Sequence, residues 1–140
     1  MSVDQAVDKL KIAERSWHAA LRQHRLAPPD GGYPQRLDDL AEACAEQHSA
    51  YIYAAEAGLS WDPLPASETT KPPYELQPIS GRRGDPKLWQ QFDLASDRHT
   101  KALQGTSLAA IGEAFGEISQ AARAIARDVA DHATSARKHA

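Results

Sequence analysis

Residues 106–140 read TSLAAIGEAFGEISQAARAIARDVADHATSARKHA. Apolar residues recur in this stretch at intervals of three and four: Leu108, Ile111, Phe115, Ile118, Ala122, Ile125 and Val129. Such spacing places the apolar side chains along one narrow seam of an α-helix, as in bundles and coiled coils. We therefore expect a helix over residues 107–138 that is the spine of the fold, with the upstream chain covering its seam.

Further helices are predicted over residues 3–25, 35–57 and 86–104. Ser2 followed by Gln5 is a capping-box pattern at the start of the first helix. Asp85 and Pro86 supply an N-cap and a first-turn proline for the third. Because short turns separate the first helix from the second and the third from the fourth, we expect two antiparallel helical hairpins.

Residues 59–84 separate the two predicted hairpins and show no sustained helical or strand period. This segment is rich in proline, yet it also carries large apolar residues, which disordered linkers lack: Trp61, Leu64, Tyr74, Leu76 and Ile79. We expect a long, ordered, proline-rich strap lying on the bundle. If the strap folds back locally, the helices run up-down-up-down, which we favour. If it crosses the bundle, the third helix runs parallel to the second.

The predicted fold class is thus all-α, a four-helix bundle that forms a single domain over residues 1–140. The formal net charge is −3 with no block of like charges, so no nucleic-acid partner is expected. The mean hydropathy is −0.58 and no apolar run approaches the roughly 18 residues that span a bilayer, so no membrane partner is expected. A single cysteine and the lack of a signal-peptide pattern predict a cytoplasmic protein.

Cys44 and His48 lie four residues apart, so they share one side of the second predicted helix. They are a possible nucleophile and base, but cysteine more often serves as a small buried hydrophobe, which is the interpretation we favour. The histidines lie at different levels of the bundle, and no glycine-rich cofactor loop occurs. The sequence therefore predicts no catalytic residue, no metal site and no cofactor.

Small residues form a strip beside the main seam of the last helix: Ala109, Gly112, Gly116 and Ser119. A glycine inside a helix costs about 1 kcal/mol relative to alanine, so close approach of another group is the expected reason for it. That group is the first or second helix of the same chain, a second subunit, or a ligand.

The leading hypothesis for function is a non-enzymatic protein–protein interaction module that self-associates or binds a helical partner. It uses the small-residue strip as the interface and predicts a stable dimer. The alternative is a small-molecule-binding bundle, or a minor enzyme, with an apolar pocket under the strap. The candidate ligand-binding residues of that pocket are His48, Tyr51, Trp61, Tyr74 and His99.

Overall fold

The computed structural model describes residues 2–26, 33–65 and 82–139, and the side chains of residues 2–23, 33–65 and 82–132. The regular structure of these ranges is entirely α-helical. The helices are α1 (Val3–Leu26), α2 (Tyr33–Glu56), α3 (Pro86–Leu103) and α4 (Leu108–His139). The predicted all-α class with four helices is confirmed. Residues 66–81 of the predicted strap lie outside the described residues, so its order stays a prediction.

Short polar side chains cap the starts of α1 and α3 as the sequence predicted. Ser2 Oγ accepts a hydrogen bond from the Gln5 amide (3.1 Å), and Asp85 Oδ1 accepts one from the Lys87 amide (2.9 Å). The first amides of a helix have no partner within the helix, so each cap satisfies a group that would otherwise depend on water. The two helices that begin at these caps, α1 and α3, are the walls of a cleft.

The apolar seam of α4 lies in the centre of the core. All of its members are at most 4% exposed: Leu108, Ile111, Phe115, Ile118, Ala122, Ile125 and Val129. The most extensive helix–helix contact joins α4 to α2, and α3 packs on α4 while α1 packs on α2. The helices α2 and α4 are therefore the central pair, and each of them packs against one outer helix.

The outer helix α1 runs antiparallel to α2. Tyr53, near the end of α2, donates a hydrogen bond to Gln5 Oε1 near the start of α1 (3.1 Å). The Lys9 ammonium, one turn further along α1, lies 5.1 Å from the centre of the same tyrosine ring. The beginning of α1 thus meets the end of α2.

The central helices α2 and α4 are also antiparallel. The His48 ring contacts the Gly112 carbonyl through Nδ1 (2.7 Å). Glu42, which precedes His48 on α2, pairs with Arg123, which follows Gly112 on α4 (3.7 Å). Earlier residues of α2 therefore contact later residues of α4, as in any antiparallel pair.

The helix α3 is antiparallel to α4, and hence parallel to α2. The Asp85 amide at the start of α3 donates to Asp128 Oδ2 (2.7 Å), and Arg98 near its end pairs with Glu117 (2.8 Å). The favoured up-down-up-down order is therefore wrong. The length of residues 59–84 permitted both topologies, and only the contacts of α3 with α4 distinguish them.

The segment between α2 and α3 is attached at both ends of α3. The Leu64 amide donates to the Leu103 carbonyl at the end of α3 (2.8 Å). Near the start of α3, the Arg82 guanidinium makes two parallel hydrogen bonds to the Asp93 carboxylate, each 2.9 Å long.

Two glycines allow α2 to approach α4 closely. A Cβ atom at Gly112 would lie 3.1 Å from the His48 carbonyl oxygen and 3.1 Å from Tyr51 Cβ. A Cβ atom at Gly116 would lie 3.1 Å from His48 Nδ1. These contacts explain physically why α4 carries glycine at two interior positions where alanine would be the better helix former.

The small-residue strip is thus covered by α2 of the same chain, one of the alternatives that the sequence left open. Ser119 is 5% exposed and its hydroxyl donates to the Ala41 carbonyl (2.8 Å), while Ala109 is half-buried. Gly112 and Ser119 consequently offer no accessible surface to a second copy. Gly112, Gly116 and Ser119 thus lie at an intrachain helix contact, and a role of the strip in a subunit interface stays a prediction.

Replacing Gly112 by leucine is expected to lower the free energy of unfolding by about 1–3 kcal/mol, since the new side chain would overpack the α2–α4 contact. Urea unfolding followed by circular dichroism measures this change. The matched control is Ala110→Leu, a larger side chain at an exposed position of the same helix. Equal unfolding midpoints for the two variants would contradict the tight contact.

Candidate functional site

An open cleft lies between α1 and α3, with α2 and α4 below it. We call it the α1–α3 cleft, and its volume is about 370 Å³. This volume falls in the lower part of the range for small-molecule sites. Trp17 of α1 and His99 of α3 line opposite walls, and Phe115 of α4 lies between them. The cleft exists because α1 packs on α2 and α3 packs on α4, which leaves a gap between the outer pair.

Aromatic rings form the floor of the cleft. The Phe115 ring stacks on the Tyr51 ring at a centroid distance of 5.8 Å and meets the edge of Trp17 at 5.7 Å. The His99 imidazole lies against the same phenylalanine at 4.1 Å. Pairs of this kind contribute about 0.5–1.5 kcal/mol each beyond their buried area, so the floor is held in a fixed arrangement.

Trp61 closes one end of the cleft. Its indole Nε1 donates to the Leu103 carbonyl (3.4 Å), and its ring meets the edge of Tyr51 at 6.1 Å. The last carbonyls of a helix have no partner within the helix, so the end of α3 is a natural acceptor for this indole and for the nearby Leu64 amide. The segment that follows α2 is thereby fixed over the cleft.

Two polar side chains lie deep in the cleft. Gln47 is 4% exposed and His99 is 2% exposed. Burial lowers the pKa of His99 to about 4, because an imidazolium would lose its hydration there. The imidazole is therefore neutral at physiological pH, and its ring nitrogens comprise one donor and one acceptor.

The rim of the cleft on α1 is acidic. Glu14 Oε1 lies 3.5 Å from His18 Nε2, and both side chains are exposed. Burial, together with the nearby negative charge of Glu14, raises the pKa of Tyr51 to about 12. Glu14 therefore places a negative charge at the rim of the cleft. Neither lysine nor arginine is among the described residues that line this cleft.

Three of the predicted ligand-binding residues lie together in the cleft: Tyr51, Trp61 and His99. The structure does not bring His48 into the cleft, since its ring points between α2 and α4 and contacts the Gly112 carbonyl. Tyr74 lies outside the described residues.

Several residues that line the cleft were not among the predicted site residues. Their spacing along the sequence does indicate that they share a side of their helix. Gln47 precedes Tyr51 by four residues and so shares its side of α2. Trp17 and His18 likewise follow Glu14 on α1 by three and four residues. The spacing identifies neighbours on one helix, but it does not identify which side of a helix faces a gap.

The Cys44–His48 pair does not form a nucleophile and base. Cys44 is fully buried and burial raises the pKa of its thiol, so the reactive thiolate is disfavoured. His48 is engaged with α4 through its ring nitrogen. Among the described residues, no three histidine, cysteine or acidic side chains come close enough together to hold a metal ion.

Comparison of the chain with protein-family models, with curated proteins and with solved structures finds no significant match. Within the described ranges, no helix is both long enough and apolar enough to cross a membrane. The geometry and charge of the α1–α3 cleft are therefore the basis for any assignment of function.

The buried neutral His99 predicts a pH-dependent stability. Its pKa is about 4 in the folded protein and near 6.5 when exposed, so between these values the unfolded chain binds the extra proton. The free energy of unfolding should therefore fall as the pH drops from 6.5 to 4, by up to about 3 kcal/mol from this group.

Urea midpoints measured across this pH range test the assignment. In the His99→Leu variant the free energy of unfolding should decrease less between pH 6.5 and pH 4, because the variant lacks the buried imidazole. Leu94→Ala is the control, since it changes an exposed apolar side chain of the same helix and removes no titratable group. If His99→Leu keeps the full wild-type slope, the pH dependence does not arise from His99.

Proposed function

We propose that this protein binds a small molecule in the α1–α3 cleft. The observation that carries the proposal is that Tyr51, Trp61 and His99, nominated as ligand-binding residues from the sequence, line one cleft with an aromatic floor. Ligand sites are typically concave and apolar with a few convergent polar groups. Gln47 and His99 are the polar groups here, because both are buried at the cleft while the surrounding rings are apolar.

The ligand is a planar aromatic molecule that is neutral or carries a positive charge. Flat rings match the stacked floor formed by Phe115 and Tyr51. A cationic group is attracted to the faces of aromatic rings and to the Glu14 carboxylate at the rim. Anionic ligands are disfavoured, because the acidic rim repels them and no described lysine or arginine lines the cleft.

The proline-rich strap of residues 59–84 serves, in this proposal, as the cover of the cleft. Trp61 and Leu64 form its first part and are anchored to the end of α3. The helices α1 and α3 then supply the walls, and Trp61 and Leu64 cover one end of the cleft.

A series of probes with the same ring and different charge tests the proposal. Indole is neutral, tryptamine is cationic and indole-3-acetate is anionic. Isothermal titration calorimetry should give the tightest binding for tryptamine and the weakest for indole-3-acetate. Saturating tryptamine at a hundred times its dissociation constant should stabilise the fold by about 2.7 kcal/mol.

Variants locate the site. Trp61→Ala should weaken tryptamine binding at least about tenfold while leaving helicity intact. Glu14→Gln should reduce the preference for tryptamine over indole by about two- to fivefold, as expected for an exposed ion pair. Leu94→Ala, at an exposed position of α3 outside the cleft, is the control. Absence of saturable binding of all three probes at millimolar concentration, or equal binding by Trp61→Ala, would refute the proposal.

A further inference from the structure

A second concave surface lies on the other side of α1, between α1 and α2. We call it the outer groove, and its volume is about 550 Å³. Its floor consists of small side chains, including Ala13, Ala45 and Ala50. Ile12 lies at its edge and is 59% exposed, more than the other exposed large hydrophobic residues of the described chain, Val3 and Leu94. Exposure of a large apolar side chain beside an apolar groove favours an interaction surface.

Charges of opposite sign lie at different positions along the outer groove. The Lys9 ammonium lies over the Tyr53 ring at one end, 5.1 Å from its centre. Glu42 and Glu46 lie toward the other end, on the α2 wall. Tyr53 and Glu42 are eleven residues apart, or about 16 Å along the helix.

This distribution of charge is self-complementary. A twofold axis perpendicular to the groove reverses its direction, so the basic end of one molecule faces the acidic end of the other. Ile12 is one turn beyond Lys9 on α1, so it lies between the two ends and close to such an axis. Glu42 already pairs with Arg123 at 3.7 Å, which leaves Glu46 as the carboxylate available to a partner's lysine.

We propose that a second copy of this chain occupies the outer groove in a twofold dimer. The two Ile12 side chains meet over the alanine floor, and Lys9 of each protomer faces the partner's Glu46. The small-residue strip is not part of this interface, because α2 covers it. Self-association, the leading hypothesis from the sequence, thus uses a different surface from the one first nominated.

Sedimentation equilibrium at micromolar concentrations tests the dimer. The wild-type protein should be dimeric, and Ile12→Asp should weaken the association by roughly 30-fold or more, as for a central interface residue. Leu94→Asp is the matched control, since it places the same charge at an exposed apolar position of α3. Both residues are exposed, so circular dichroism should show both variants folded. A monomeric wild type, or an equal effect of the two substitutions, overturns the proposal.

Charge reversal tests the twofold arrangement. Lys9→Glu and Glu46→Lys should each weaken the dimer, because like charges then face each other, and the double variant should restore it. A double variant that is additively weaker than either single one overturns the Lys9–Glu46 pairing. The monomeric Ile12→Asp variant should still bind tryptamine, so failure of the dimer and failure of the cleft proposal are distinguishable.

Discussion

The close approach of α2 to α4 is the contact on which the rest of the structure depends. Gly112 and Gly116 bring no side chain to this contact, and the His48 ring fills the space beside them. Each of the other two helices packs on one member of this pair: α1 packs on α2, and α3 packs on α4. The separation of the central pair therefore sets the distance between the outer helices, and with it the width of the gap that becomes the α1–α3 cleft.

The same contact determines the chemistry of that cleft. Phe115 lies between the two glycines in sequence, and its ring stacks on Tyr51 because the backbones of α2 and α4 are close at this level. His99 packs against the same phenylalanine, away from water, where its imidazole remains neutral. A packing requirement of the central helices thus produces an apolar floor with buried polar groups at its edges.

The sequence predicted the helices well because their signals are local: the seam from Leu108 to Val129 has one period, and Ser2 and Asp85 are caps of a recognisable kind. The direction of α3 was not predictable, because the chain between α2 and α3 is long enough for both topologies. The site was predicted in part. Tyr51, Trp61 and His99 converge, whereas His48 faces α4, and periodicity alone does not separate these two adjacent sides of α2.

The position of α1 links the two surfaces. One side of this helix supplies Trp17 to the cleft, and another supplies Ile12 to the outer groove. It is packed on α2 and reaches α4 through the Trp17–Phe115 contact. Any opening of α1 away from the central pair removes a wall from both surfaces at once. A ligand in the proposed cleft and a second copy in the proposed groove would each suppress this same local unfolding, and binding at one surface would then favour binding at the other.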